Sequence, residues 1–153
     1  MDDKKYTSVP DTKAHIKCVG ENIDTIIDEL ELRKEFHDMS KMSSPEVDIF
    51  DTYTPKLQEV KYGSDEYKAC LKEMTPALKH HYSENRHHPE HFKNGVSDMT
   101  LIDLVEMICD WDAAGKRHKD NDIVKSIEMN QKRFNYSDDI KNILINTAKE
   151  LFK

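Results

Sequence analysis

Along this chain the apolar residues return every three or four positions, the repeat of an α-helix that turns one face to a core. Val19, Ile23, Ile26, Ile27 and Leu30 follow that step, and Pro10, Asp11 and Thr12 mark the start of the helix that carries them. A short second helix is predicted over "RKEFHDMSK". Ser44 as N-cap and Pro45 at the first helical position predict a third, with Val47, Phe50 and Tyr53 on its buried side. The turn in "YGSDEYK" ends in a capped start at Ser64, and the helix that follows carries Leu71, Met74 and Leu78. Thr75-Pro76 either kinks that helix or begins another. Pro89 ends the segment, because the residue before a proline is pushed out of the helical region.

The loop "EHFKNGVSD" leads into the most apolar stretch, "MTLIDLVEMICDWDAAG". Two amphipathic helices close the chain. One carries Ile123, Ile127 and Phe134; the other starts at Ser137 and carries Ile140, Ile143, Leu144, Ala148 and Leu151. No segment alternates with a period of two. The pattern therefore predicts an all-α fold, a single bundle of five to seven helices over residues 10–153, with a flexible N-terminal segment at 1–9.

Composition narrows the function without naming it. With 153 residues, 37% of them hydrophobic and 35% charged, the chain can bury a core and is expected to be soluble. A net charge of -7 argues against a nucleic-acid polymer as partner, since that affinity is built from Lys and Arg on phosphates. It leaves room for a small phosphorylated molecule held by a local site or a metal. There is no apolar leader at "MDDKKYTSVP" and no run of ~18 apolar residues, so neither secretion nor a membrane partner is expected. Cys18, Cys70 and Cys109 are odd in number and far apart, which predicts reduced core thiols in a cytoplasmic protein.

Five of the eight histidines fall in "HHYSENRHHPEHF". If the helix continues that far, Leu71, Met74, Leu78, His81, Asn85 and His88 share a face, so His81 and His88 extend the core-facing stripe. His80, Glu84 and His87 follow the neighbouring stripe with Ala77. One imidazole on an apolar stripe is commonly a satisfied core histidine; two, seven residues apart, point to ligands. Asp110 borders the buried face of Leu104, Ile108 and Trp111, where an unpaired carboxylate is costly. Its partner is either a metal or a cation from another helix. In "HDMSK", His37 and Asp38 stand at a predicted helix boundary, where neighbours can reach one point. Imidazole and carboxylate together suit divalent iron, manganese, zinc or nickel.

A histidine on one helix, an HD pair on the next, later histidines and a final helical Asp resemble the HD-domain superfamily of metal-dependent phosphohydrolases. "HDMSK" is similar to the HD-x-[GS]-K form of its motif, and "HHPE" with "MICDWDAA" to the HH and terminal-Asp segments of the cyclic-dinucleotide phosphodiesterase branch, whose GYP triplet is absent here. "HHYSENRHHPEHF" with "MTLIDLVEMICDW" resembles a family of small uncharacterised bacterial and phage proteins related to HD domains. The resemblance spans Asp11 to Gly115.

It implies an HD-like helical domain holding one or two divalent ions (Fe, Mn, Zn, Ni or Mg). His15, His37, Asp38 and Asp110 are its implied ligands, with His81 and His88 completing a second metal site. Lys41 would neutralise substrate oxyanions. The leading expectation is a hydrolase acting on a small, nucleotide-like phosphate ester, with Asp38 and Lys41 catalytic and Arg86 and Asn85 at the substrate. Asn85 and Asp103 either orient ligands or serve as capping and solvated residues. His91 and His118 are expected at the surface. A di-iron oxygenase and a non-catalytic metal- or nucleotide-binding module are the alternatives.

Overall fold

The structure is a computed structural model that describes residues 6–60, 64–116 and 122–152. Among the described residues every regular element is helical: seven α-helices and three short 3-10 turns. The expected turn residues Tyr62 and Gly63, His118 and the first five residues of the expected loose end lie outside the described residues. Contacts divide the chain into two units, Met1–Glu35 and Phe36–Lys153.

The first unit is helix α1, Val9–Phe36, which continues into the second. The separate helix expected over "RKEFHDMSK" does not form. Residues 30–36 contain no Gly or Pro, and Arg33–Glu29 (3.0 Å) and Lys34–Glu31 (2.7 Å) pair along the surface, so α1 runs on to Phe36. No residue of α1 is buried, so its apolar stripe is not the core face that the pattern implied.

The second unit holds α2 (Glu46–Glu59), α3 (Asp65–Glu73), α4 (Thr75–Glu84), α5 (Leu101–Gly115), α6 (Ile123–Phe134) and α7 (Asp138–Leu151). Its core lies where α5, α6 and α7 pack on one another, around Met107, Ile108, Ile127, Leu144 and Ala148. Each fully buried large side chain there contributes ~1.5–3 kcal/mol. Trp111 stacks on Phe134 with the rings 8° from parallel. The buried Tyr136 hydroxyl donates to the Ile127 carbonyl at 2.5 Å. Ser137 caps α7 as its sequence predicts, accepting from the Ile140 N–H.

Thr75-Pro76 begins a new helix, since Pro at the start of α4 lacks only an N–H that needs no partner there. α4 then ends at Glu84, well before Pro89. The backbone N–H of Asn85 and its side-chain amide both donate to the His81 carbonyl, closing the helix. The helical face expected to run from Leu71 through His88 therefore stops at α4. α2 starts at Glu46 with Pro45, not Ser44, at its N-cap. The cysteines are free as expected, but Cys18 and Cys109 are exposed rather than core residues.

Candidate metal centre

The site begins where α1 ends. Asp38 has φ 57°, the left-handed region that Asp tolerates better than most residues. That single residue reverses the chain into the 3-10 turn Met39–Met42, which brings the adjacent His37 and Asp38 side chains together, Nε2 to Oδ2 at 3.6 Å. Three residues on, Lys41 Nζ lies 2.6 Å from Asp38 Oδ2.

From α4 comes His81, 3% exposed, with Nε2 at 3.4 Å from Asp38 Oδ1. Past the end of α4, His87 and His88 leave the helix. Pro89 holds His88 extended (φ -95°, ψ 125°), and the two neighbouring imidazoles turn to the same centre. His88 Nε2 is 2.8 Å from His81 Nε2, and His87 Nε2 is 3.4 Å from Asp38 Oδ1. α5 supplies Asp110, whose Oδ1 is 3.7 Å from His37 Nε2.

These side chains form two groups of possible ligands, in each of which the ligand atoms lie within 4.8 Å of one another: Asp38, His81, His87 and His88, and His37, His87 and Asp110. His15 is exposed on α1, in the unit Met1–Glu35, and neither group includes it.

Behind the imidazoles stand two carboxylates. Glu106 of α5 accepts from His37 Nδ1 at 2.9 Å and lies 3.0 Å from His87 Nδ1. Glu46, fully buried at the start of α2, accepts from His81 Nδ1 at 2.9 Å and from His80 Nδ1 at 2.7 Å. A carboxylate on Nδ1 fixes the tautomer and leaves Nε2 directed inward with its lone pair, the arrangement found behind metal-bound histidines.

The electrostatics are divided. The Asp110 carboxylate 3.7 Å away and Glu106, which accepts from Nδ1, helped by the Asp38 charge, outweigh burial and raise the His37 pKa to about 10. Burial, together with repulsion from His87 and His81, lowers His88 to about 3. Burial and the Lys41 charge also lower His81, against Asp38 and Glu46. Burial pushes Asp38 and Asp110 upward, yet both end below the usual carboxylate range. Lys41 outweighs burial at Asp38, and His37, His87 and His88 do so at Asp110. The pocket thus favours a positive charge on His37 itself and keeps His88 neutral, its lone pair free to donate.

Asn85 donates to Ser40 Oγ at 2.8 Å and sits 3.0 Å from His81 Nδ1, so it ties the 3-10 turn to α4. Arg86 is committed elsewhere. Its guanidinium makes a two-pronged pair with the fully buried Asp103 (3.1 and 2.9 Å) and lies over the Phe92 ring. Asp103 also closes the capping box of α5 with Thr100. His91 Nδ1 donates to the Tyr82 carbonyl and is in neither group.

Residues 4–150 match the model of a family of unknown function, DUF5662. The chain belongs to that family. No curated protein and no solved structure matches it. In this DUF5662 chain the His/Asp cluster could hold a metal ion, and it stands within the matched residues.

The helical register points to His81 and His88 as ligands and does not single out His87, which belongs to both groups. The signal was Pro89: by holding His88 off the helix it frees the "HH" pair from helical divergence, as the left-handed Asp38 frees "HD". Glu46 gave no comparable signal, and Glu106 only that it shares a stripe with Asp110, four residues on. A carboxylate behind an imidazole is set by packing between helices, and no spacing along the chain marks it.

Proposed function

We propose that this site holds one or two divalent metal ions and hydrolyses a small, nucleotide-like phosphate ester. One observation carries the metal. Asp38 Oδ1 and His87 Nε2 are buried side by side with no hydrogen-bond partner, which polar atoms in a protein interior rarely tolerate. Four imidazoles and two carboxylates suit iron, manganese, zinc or nickel better than magnesium, which prefers oxygen donors.

Asp38 Oδ1 lies 3.4 Å from His81 and His87 Nε2 and its Oδ2 3.6 Å from His37 Nε2, so Asp38 would be a ligand to one ion or be shared by two, while His87 would give its Nε2 to one. When bound, such an ion polarises phosphoryl oxygens and makes an attacking water more acidic. The chain does the rest. Asp38 would either bridge the ions or take the proton from the attacking water, and Lys41, beside it and partly exposed, would stabilise charge on the phosphate oxygens. Arg86, bound to Asp103, leaves that charge to Lys41. Glu46 and Glu106 hold the imidazoles in place. The order of the His and Asp residues, which resembles HD phosphohydrolases, supports phosphate-ester hydrolysis.

The test is metal analysis of protein purified without a His tag, followed by a screen of nucleotides and other phosphate esters with the identified metal. Stoichiometric metal and released phosphate are expected. Metal-free protein that takes up none of these ions would overturn the proposal. The same nitrogen-rich donor set also favours a second reading, a di-iron oxygenase. Bound iron with a mixed-valence signal and no hydrolysis of any phosphate ester would select it.

A further inference from the structure

His80 opens the histidine run, and the metal centre does not use it: it belongs to neither group of possible ligands. Its side chain is 37% exposed, against 3% for His81 beside it. Yet both reach the same carboxylate. Glu46 is fully buried at the start of α2, and its two oxygens are divided between them. His80 Nδ1 donates to Oε1 at 2.7 Å, and His81 Nδ1 donates to Oε2 at 2.9 Å.

Neighbours on a regular helix point about 100° apart, so a carboxylate that bonds both lies between their two directions. The last torsion of a glutamate is soft, and one hydrogen bond leaves the carboxylate free to swing about it. Two bonds fix its plane and the place of each oxygen. Without His80, Oε1 would be a buried acceptor short of its partner, which favours turning the carboxylate away from His81. The Ser40 hydroxyl adds a contact to this carboxylate, but Asn85 shares it.

The place of Oε2 matters because His81 Nδ1 has a competing neighbour. The Asn85 amide nitrogen stands 3.0 Å from it. That this atom is the nitrogen follows from its donation to the His81 carbonyl at 2.8 Å. A carboxylate only accepts, so beside Oε2 the ring keeps its proton on Nδ1 and leaves Nε2 bare. An amide nitrogen only donates. By leaving Ser40 it frees a hydrogen for Nδ1, and the ring proton then moves to Nε2, where it bars an ion.

We infer that His80 is a positioning residue of the metal centre: by holding Glu46 Oε1 it keeps Oε2 on His81, and so keeps His81 in the tautomer that can bind an ion. The purpose of the device rests on the metal reading; the bond and the tautomer exist without an ion.

The test uses the full chain, isotope-labelled and free of metal. Long-range proton–nitrogen NMR correlations show which ring nitrogen of His81 carries the proton, and Nδ1 is expected. His80→Asn keeps a donor near the place of Nδ1, whereas His80→Gln carries its donor out to the place of Nε2. The first variant should keep the parent's tautomer, and the second should shift His81 toward a proton on Nε2. Titration with cobalt(II), followed by visible absorption, should give parental affinity for His80→Asn and about tenfold weaker binding for His80→Gln. Circular dichroism checks the fold; should His80→Gln fail to form it, the parent's tautomer and the His80→Asn variant still decide. A parent with its His81 proton on Nε2 overturns the inference. So does His80→Gln with the parental tautomer, and so does His80→Asn that loses it. Equal cobalt(II) affinity in all three proteins overturns it while leaving the metal reading intact. A parent with the expected tautomer that takes up no cobalt(II) overturns the metal reading and, with it, the purpose assigned to His80.

Discussion

Asp38 Oδ1 and His87 Nε2 lie 3.4 Å apart, both buried, and neither has a hydrogen-bond partner. Asp38 comes from the turn after α1 and His87 from the turn after α4, so two separate departures from helical geometry place them there. Around this pair the other donors are held by Glu46, Glu106 and Lys41. A cation between the two atoms would satisfy both at once.

His87→Ala should therefore lower the bound metal sharply, since His87 is a candidate ligand of either group. Glu106→Gln keeps the shape but weakens the hold on His37 and His87, and should lower metal affinity by ~10–100-fold. His91→Ala, whose imidazole caps the Tyr82 carbonyl instead, should keep the metal. Elemental analysis and metal titration of the three variants check the order.

Metal should stabilise the fold, because its ligands come from the turn after α1, from α4, from the turn beyond it and from α5. At one hundred times its dissociation constant, an ion specific for the native state adds about 2.7 kcal/mol. Chelation should lower the melting temperature, and His37→Ala should abolish that response. Superimposable melting curves of the parent with and without chelator would leave the metal without support.

Lys41 should separate turnover from metal binding. Its ammonium touches Asp38 Oδ2 but is no ligand while protonated. Lys41→Ala is expected to keep metal content while phosphate-ester turnover falls ten- to a hundredfold, a barrier increase of about 1.4–2.7 kcal/mol. Steady-state kinetics with the best substrate, alongside metal analysis, make the comparison. Unchanged turnover would remove Lys41 from the mechanism.

Arg86 is expected to matter for stability. Arg86→Ala leaves Asp103 fully buried without its two-pronged partner. Breaking such a pair costs ~3–5 kcal/mol when both partners are buried, and the lower end applies here because the guanidinium is partly exposed. Urea denaturation of the metal-free protein measures it.

Tyr136 gives the pH dependence a sign. Burial raises its pKa from 10.0 to about 12. Its contribution is complete below pH 10 and is lost as pH rises toward 12, because the unfolded phenol ionises first. Tyr136→Phe should cost ~1 kcal/mol at neutral pH through the lost bond to Ile127 and should flatten the alkaline decline. Thermal melts of parent and variant between pH 8 and 12 would compare the slopes.

The sequence by itself determined the helices and much of the cluster. Three- and four-residue spacing located α5, α6 and α7, and Ser64 and Ser137 fixed the starts of α3 and α7, because these signals act within one or two turns of the chain. The HD pair and the histidine run marked where chemistry concentrates. Only the tertiary structure decided that α4 stops at Glu84, that His87 belongs to both groups, and that Glu46 and Glu106 stand behind the imidazoles. It also showed that Arg86 is taken by Asp103 and that no residue of α1 is buried. The physical reason is range. Periodicity and capping are local and leave a mark in consecutive residues. A hydrogen bond between His37 and Glu106, or the burial of a face, depends on which elements meet, and no short stretch of sequence records that.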